Sequence, residues 1–243
     1  MIHYYISNPI TNAQLGNDNF NKFSTTHIER LKANIPETAD MIYGIPVPAI
    51  FNIMISDTEL KFNAWKASID IGATEKAEKE GKTIDVNSSF KNFKSFISLK
   101  AGVIADKYHK NPAIFEEFYP QGAEEYSKSS KAKADKIFKR FITALDKNKA
   151  DFDAAIITEA NAMYDEYTTL RKVQLQKIGK VKDESSTASV QRDELSLQLY
   201  KNLLTLLLIN ADMPEKAAVY FDESILKKKS GNNKPAETAA PQA

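Results

Sequence analysis

The sequence predicts an all-α protein in which two related, antiparallel helical bundles follow one another, each with three main helices and a short one. Three observations predict this fold class. Apolar residues recur at three- and four-residue spacing over most of the chain, no proline lies between Pro120 and Pro214, and only eight glycines occur in 243 residues. Because proline breaks helix interiors and glycine weakens them by about 1 kcal/mol, their scarcity favours long helices.

The two halves of the chain also repeat one another. At an offset of 102 positions, Phe62 and Trp65 align with Tyr164 and Tyr167. Further pairs at the same offset are Phe93 with Leu195, Ile97 with Leu199, Ile104 with Leu206, Pro112 with Pro214, and Phe118-Tyr119 with Tyr220-Phe221. Recurrence of aromatic and apolar positions in the same order indicates an internal duplication.

The helices that open the two halves correspond at a longer offset. Phe20 and Phe23 align with Phe138 and Phe141 at an offset of 118 rather than 102. This difference predicts a longer link between the first and second helices of the first half.

Residues 1–16 are predicted to form an N-terminal arm, and residues 17–121 the first bundle. The first helix is expected to begin at Asn17 or Asp18 and to end before Pro36. Its apolar face recurs at helical spacing and consists of Phe20, Phe23, His27, Leu31 and Ile35.

Residues 36–55 are predicted to be an irregular apolar insertion within the first bundle. Pro46 and Pro48 lie close together, which argues against a continuous helix before Ala49. The expected structure is a crossover with about one helical turn after Pro48.

Two longer helices and a short one are predicted to complete the first bundle. Ser56 and Glu59 have the capping-box spacing that opens a helix. A separate helix is expected over about residues 86–108, where apolar residues form an unbroken stripe. Asn111 before Pro112 is typical of the start of a further helix, because asparagine caps well and proline fits the first helical position.

Residues 122–226 are predicted to form the second bundle, which a lysine-rich helix opens. Apolar residues of the next segment keep the rhythm of a packed helix. Residues 183–189 are rich in Ser and Thr and are predicted to be a polar loop. A last helix is expected after Pro214, and residues 227–243 are predicted to be a disordered tail, because they cannot form a core.

The helix expected over about residues 190–210 is apolar nearly all round toward its end. A helix of that composition is typically central in a fold. Leu203, Leu206 and Leu207 are therefore predicted to be nearly fully buried.

Composition narrows the classes of function. The chain has no cysteine, which excludes disulfides, thiolate catalysis and cysteine-held zinc or iron–sulfur sites. The 33 basic residues nearly balance the 32 acidic ones, so no global field attracts nucleic acid or anionic membranes. No apolar run approaches the roughly 20 residues of a membrane span, and no secretory signal opens the sequence. A cytoplasmic location is expected.

The sequence offers no clear catalytic, metal or cofactor site. Its histidines are His3, His27 and His109, and none has the Glu-x-x-His spacing of di-iron helical bundles. Asp106 and His109 come nearest, and a solvated helix end explains that pair better. His27 lies on an apolar stripe and is interpreted as a core residue. We also find no phosphate-binding, dinucleotide-binding, serine-hydrolase or zinc-protease motif, so the sequence predicts no catalytic residue and no cofactor.

A basic stretch begins at residue 128 and ends at residue 149. Lys128, Lys131 and Lys139 could share a helix face and form, with Arg140, a patch for nucleic acid. A solvated helix face explains the same charges more simply, because no recognition motif accompanies them.

The insertion at residues 36–55 supplies the candidate contact surface. It is apolar and present in one half only, so the basic fold does not require it. We predict that Tyr43, Ile45, Val47, Ile50 and Phe51 contact the other half or a partner chain. A loop that covers the end of the first bundle is the alternative.

Taken alone, the sequence favours a non-catalytic scaffold, structural subunit or adaptor that acts through protein–protein contacts, including self-association. A helical protein that binds nucleic acid through its basic stretch is one alternative. An enzyme with dispersed catalytic residues is another.

Overall fold

The computed structural model of the chain describes residues 8–12 and 15–226, and the predicted tail at 227–243 lies outside this part. Helix dominates, as the composition predicts. The described elements are α1 (Pro9–Asn12), α2 (Asn17–Ala33), β1 (Met41–Ile42), β2 (Ile45–Pro46), α3 (Val47–Lys107), α4 (Pro112–Phe118), α5 (Glu124–Ser127), α6 (Lys131–Lys147), a 3-10 turn (Lys149–Asp151), α7 (Ala154–Ile209), α8 (Glu215–Ala218) and α9 (Glu223–Leu226).

One uninterrupted helix, α3, replaces the two helices that the sequence predicts. It begins at Val47, so the prediction of an irregular chain up to Ala49 is wrong. Pro48 occupies the first turn, where its missing N–H would have no intrahelical acceptor. The predicted cap at Ser56 is wrong as well. Ser56 lies inside the helix, where its Oγ donates a hydrogen bond to the carbonyl of Ile53 at 3.1 Å.

The predicted loop at residues 183–189 is also helical, because α7 continues through it. Within this stretch the Ser185 hydroxyl donates a hydrogen bond to the carbonyl of Val181 at 2.8 Å. The residues there are polar because they lie on the exposed surface of a helix. A polar sequence of this length is equally typical of an exposed helix and of a loop.

Two compact units form, and each takes residues from both predicted halves. Among the described residues, unit 1 consists of residues 8–12, 15–69 and 186–226, and unit 2 of Asp70–Ser185. The compact units therefore do not follow the predicted tandem division into 17–121 and 122–226. Both α3 and α7 contribute one end to each unit.

Unit 1 is built on α2, the start of α3 and the end of α7. Fully or nearly fully buried aromatic and aliphatic side chains form its core: Phe20, Phe23, Leu31, Phe51, Trp65, Leu195, Leu199 and Leu206. Leu206 is buried as predicted, whereas Leu203 is half-buried and Leu207 is 36% exposed. The end of α7 therefore has a solvent face, despite being apolar nearly all round.

Unit 2 is built on the end of α3, α4 to α6 and the start of α7. The lysine-rich helix α6 buries an apolar face that consists of Phe138, Phe141, Ile142 and Leu145. These residues pack with other buried aromatic side chains, Phe93, Phe118, Tyr119, Tyr126 and Tyr167.

Aromatic contacts recur between the two cores at positions that correspond in sequence. The rings of Phe20 and Trp65 in unit 1 meet edge-on at a centroid distance of 5.1 Å, and their counterparts in unit 2 meet edge-on at 5.2 Å. The rings of Phe23 and Phe221 in unit 1 lie 5.8 Å apart and their counterparts in unit 2 lie 6.1 Å apart, with different angles between the ring planes. The corresponding contacts are Phe20–Trp65 with Phe138–Tyr167, and Phe23–Phe221 with Phe141–Tyr119.

Candidate interaction surface

A two-stranded β-hairpin stands where the sequence predicts an irregular link. Met41 pairs with Pro46 and Ile42 with Ile45, which leaves a two-residue turn at Tyr43 and Gly44. Both turn residues have positive φ, 50° and 76°. This combination is the pattern of a type I′ turn, whose twist matches that of the strands it joins.

The structure divides the predicted contact residues into two groups. Tyr43 is 88% exposed and Ile45 is 42% exposed, together with Met41 at 60%. Val47 and Phe51, by contrast, are buried in the core of unit 1, and Ile50 is half-buried. Val47 and Phe51 therefore serve folding, and the exposed part of the candidate surface is the hairpin with Met41, Tyr43 and Ile45. We call these three residues the hairpin tip.

The backbone conformation of Tyr43 is energetically unfavourable for a residue with a side chain. A side chain at positive φ brings Cβ close to the backbone, which costs about 1 kcal/mol or more for residues other than glycine and asparagine. Type I′ turns accordingly prefer Asn-Gly at these two positions. With 88% of its surface in solvent, Tyr43 recovers little of this energy by packing within the chain.

Acidic neighbours in unit 2 pair with two of the four residues of the predicted basic patch. Lys128 pairs with Glu124, and Arg140 pairs with Glu125. Lys131 is half-buried and Lys139 is exposed.

Arg140 also has a structural role in unit 2. Its guanidinium lies 5.6 Å from the ring centroid of the buried Tyr126 and donates a hydrogen bond to the Tyr126 hydroxyl at 3.3 Å. A cation held in this way supports packing rather than presenting a free charge to a nucleic acid.

His27 is a buried core residue, as its apolar stripe predicts. Its Nε2 accepts a hydrogen bond from Asn202 Nδ2 at 3.0 Å, and its Nδ1 donates to the carbonyl of Tyr220 at 2.9 Å. The ring stacks on Phe221 at 4.2 Å. Burial lowers the pKa of His27 to about 4, because the charged imidazolium would lose its hydration. Both ring nitrogens are engaged, so neither is free for proton transfer to a substrate.

Asn202 connects His27 to a third helix. The same Nδ2 donates a second hydrogen bond to Thr58 Oγ1 at 2.7 Å, and Asn202 Oδ1 accepts one from Gln198 at 3.0 Å. This network joins α2, α3 and α7 inside unit 1. Sequence periodicity places His27 on a buried face but carries no signal that identifies a partner so far along the chain.

The remaining candidates show no metal or membrane site within the described residues. His109 Nδ1 lies 2.6 Å from the backbone carbonyl of Asp106, as expected of a helix end. Residues 8–12 and 15–226 contain no group of three His, Asp or Glu side chains that could hold a metal ion. No helix in this part of the chain has the length and apolar character needed to cross a membrane.

An apolar pocket of about 240 Å³ opens in unit 1, and its lining comes from both ends of the described chain. Pro9 and Ile10 face it from α1, and Leu226 faces it from α9. No sequence pattern indicates this pocket, because its walls are far apart along the chain.

Comparison of the chain with protein-family models, with curated proteins and with solved structures gave no match. Its function is therefore inferred from its own residues.

Proposed function

We propose that this chain is a non-catalytic helical protein that acts as a structural or adaptor component, with the hairpin tip as its contact to a protein partner. The observation that carries the proposal is Tyr43, which combines 88% exposure with a backbone conformation unfavourable to its side chain. Strained backbone at an exposed position is often maintained for binding. The hairpin lies outside the helical repeat, so a binding role does not compete with folding.

The chemistry of the hairpin tip indicates the kind of partner. Tyrosine is among the residues that most often dominate protein–protein interfaces, because it buries a large ring and keeps a hydroxyl for one hydrogen bond. Met41 and Ile45 provide apolar surface on the same hairpin. The matching partner is a protein with an apolar pocket and a hydrogen-bond acceptor within reach of the Tyr43 hydroxyl.

The substitution Tyr43→Asn tests this proposal. It installs the Asn-Gly sequence that type I′ turns prefer and removes the ring. We expect the melting temperature to stay the same or to rise, while binding of the partner is lost. The measurement compares proteins retained from the native source by the wild-type and variant chains, followed by a binding titration with each purified candidate.

Leu99→Asn is the matched control for this experiment. Leu99 lies in unit 2 with 78% exposure, so the variant removes a similarly exposed apolar side chain elsewhere. The proposal fails if Tyr43→Asn binds the purified candidates as tightly as wild type, or if both variants weaken binding equally.

Nucleic-acid binding through the basic stretch has less support. Lys128 and Arg140 already have carboxylate partners, and Arg140 also holds Tyr126 in place. The charge left for phosphates is therefore smaller than the sequence indicates.

We also infer that the two halves of the chain descend from one duplicated unit. The order of elements supports this inference, because helices of 17, 61, 7 and 4 residues are followed by helices of 17, 56, 4 and 4 residues. The two recurring aromatic contacts support it independently. In each case the two residues of the contact in unit 1 align in sequence with the two residues of the contact in unit 2, and the two centroid distances agree within 0.3 Å.

A further inference from the structure

The apolar pocket of unit 1, which we call the unit 1 pocket, has a buried floor. Ile10, Phe23, Ala217 and Phe221 line it and are each 6% exposed or less. They come from α1, from α2 and from the segment that follows α7. The floor is therefore built by helices that are fixed in the core, rather than by side chains on a free surface.

The other side of the unit 1 pocket is open to solvent. Leu207, Pro214 and Glu223 line it there and are exposed. Among the described residues of the lining, Glu223 alone is charged. Its carboxylate repels an anion, and an apolar floor cannot solvate a charge of either sign. The lining therefore suits an uncharged molecule.

The size of the pocket limits the molecule further. An apolar cavity of about 150 Å³ is sufficient to bind benzene. The unit 1 pocket holds about 240 Å³, which is enough for one ring or two fused rings. It is smaller than the roughly 300 to 1,000 Å³ typical of sites for larger ligands.

Unit 2 has an aromatic ring at the position that corresponds to this pocket. At the offset of 102 positions, Ala217 aligns with Phe115, and Phe221 with Tyr119. The Phe115 ring is half-buried against the core of unit 2, and its centroid lies 5.1 Å from that of Tyr119. Ala217 has no ring to place beside Phe221, and both of these residues line the pocket.

Two larger side chains of α7 replace the missing ring only in part. Leu203 and Leu207 align with Ala101 and Ala105 of α3, so unit 1 has more side-chain volume at these positions. Both leucines nevertheless line the pocket, together with Ala217. Packing within unit 1 therefore leaves a space where unit 2 has a phenyl ring.

We infer that the unit 1 pocket binds a small, uncharged aromatic molecule of one or two fused rings, in the place that the Phe115 ring takes in unit 2. This inference does not depend on the hairpin tip. The choice of an aromatic ligand rests on the proposed duplication, whereas the size and apolar lining of the pocket do not.

The aromatic wall of the pocket supports this class of ligand. Phe23 and Phe221 stack with their centroids 5.8 Å apart and their planes at 26°. A ligand ring beside Phe221 would repeat the contact between Phe115 and Tyr119. Ring pairs at about 4.5 to 7 Å stabilise one another beyond the effect of burial alone. An aromatic molecule should therefore bind more tightly than a saturated molecule of the same size.

Titration of the full chain with indole tests the inference. Alanine and leucine methyl groups labelled with carbon-13 report binding in NMR spectra. The signals of Ala217 and Leu203 should shift and saturate, with a dissociation constant of about 1 mM or tighter, as expected of a ligand with about nine non-hydrogen atoms. The signal of Leu99, which lies in unit 2, should not shift.

Ala217→Phe supplies within unit 1 the ring that Phe115 supplies in unit 2. It should raise the dissociation constant of indole about tenfold or more and leave the melting temperature equal or higher, because a filled cavity stabilises the fold. Val219→Phe is the matched control. It adds the same ring to the same segment, but Val219 is 58% exposed and does not line the pocket. This control should bind indole within about twofold of wild type.

Phenol and cyclohexanol test the choice of an aromatic ligand. The two molecules are alike in size and hydroxyl group, and only phenol is aromatic. Phenol should displace indole at a concentration about twofold lower or less. Equal displacement would overturn the aromatic class and the comparison with unit 2 on which it rests.

Other results would overturn the site itself. These are shifts that do not saturate, equal shifts at Leu99, and binding by Ala217→Phe as tight as wild type. If Ala217→Phe does not fold, nuclear Overhauser contacts in the wild-type chain decide instead. Contacts from indole protons to the methyl groups of Ala217 and Leu203 would support the site, and their absence under saturating indole would overturn it.

Discussion

At the scale of single residues, His27 links stability to pH. Its neighbours in unit 1 are Asn202, the Tyr220 carbonyl and the Phe221 ring, and none of them offers a charge to balance a proton. The pKa of His27 is about 4 in the folded chain, against an ordinary value of 6.5 in the unfolded one. The unfolded chain therefore binds a proton that the folded chain excludes. The free energy of unfolding is therefore unaffected by this group above about pH 6.5, and it decreases as the pH falls from 6.5 toward 4.

We expect the free energy of unfolding to fall by about 2 kcal/mol between pH 6.5 and pH 5 because of this histidine. Urea denaturation at a series of pH values measures the slope. His27→Leu is the control variant, since Leu145 occupies the corresponding position of unit 2 and is buried there. The variant should lose stability at neutral pH but show a flatter pH dependence. An unchanged slope would assign the effect to other groups.

The sequence predicts much of the fold at this scale and little of the candidate site. Apolar spacing correctly identifies Phe20, His27 and Leu206 as buried, because helical periodicity is a local property. It places Phe51 in a contact surface, although this side chain is fully buried. Pro46 and Pro48 lie on either side of the first residue of α3, and two prolines so close together normally indicate irregular chain. The helical spacing of Val47 and Phe51 therefore could not be recognised from the pattern.

At the scale of elements, the lengths of α3 and α7 are what the sequence misses. Ser56 with Glu59 has the spacing of a cap, and residues 183–189 have the composition of a loop. Both signals are local, and each segment nevertheless continues a helix. Serine and threonine hydroxyls bond to carbonyls of the preceding turn in either setting, so composition alone cannot separate the two outcomes.

Gly81 tests the continuity of α3. It is exposed, and a Cβ built on it would meet nothing within 4 Å. Since alanine favours a helix interior, Gly81→Ala should raise the free energy of unfolding by about 0.5 to 1 kcal/mol. Chemical denaturation measures the change. If α3 instead ended near residue 82, with Gly81 in a left-handed cap, alanine would destabilise the chain.

Gly44→Ala is the opposing control. Gly44 also has open space around it, but its φ is +76°. Alanine should therefore cost about 1 kcal/mol or more there, because the strain is in the backbone rather than in any contact.

At the scale of the whole molecule, the proposed duplication predicts where the chain can be cut. Pro9 and Leu226 line one pocket, so the described ends lie close together in unit 1. In the permutant, residue 243 is followed directly by residue 1. New termini between Ser129 and Ser130 would keep α2–α5 and α6–α9 each intact. We expect this circular permutant to keep the helical content of the native chain and to melt in one cooperative transition.

A cut between Lys110 and Asn111 is the matched permutant. Both residues are exposed in a short connection, but the cut separates α3 from α4 within one proposed repeat. Thermal melts followed by circular dichroism compare the two chains. If the second permutant is as stable as the first, the boundary at Ser129 has no special status and the duplication loses this support.

The division into units also implies an order in which the two hydrophobic cores can form during synthesis on the ribosome. Unit 2 is one continuous stretch, Asp70–Ser185, whereas the core of unit 1 includes side chains that follow residue 186 as well as side chains that precede residue 70. Phe20, Phe23, Phe51 and Trp65 therefore emerge without Leu195, Leu199 and Leu206, with which they share a core. Translation at about 5 to 20 residues per second makes that delay roughly ten seconds. The part of unit 1 that precedes residue 70 is thus enclosed only after unit 2 has been synthesised, and nascent chains that stall between residues 70 and 186 should be those most dependent on chaperones.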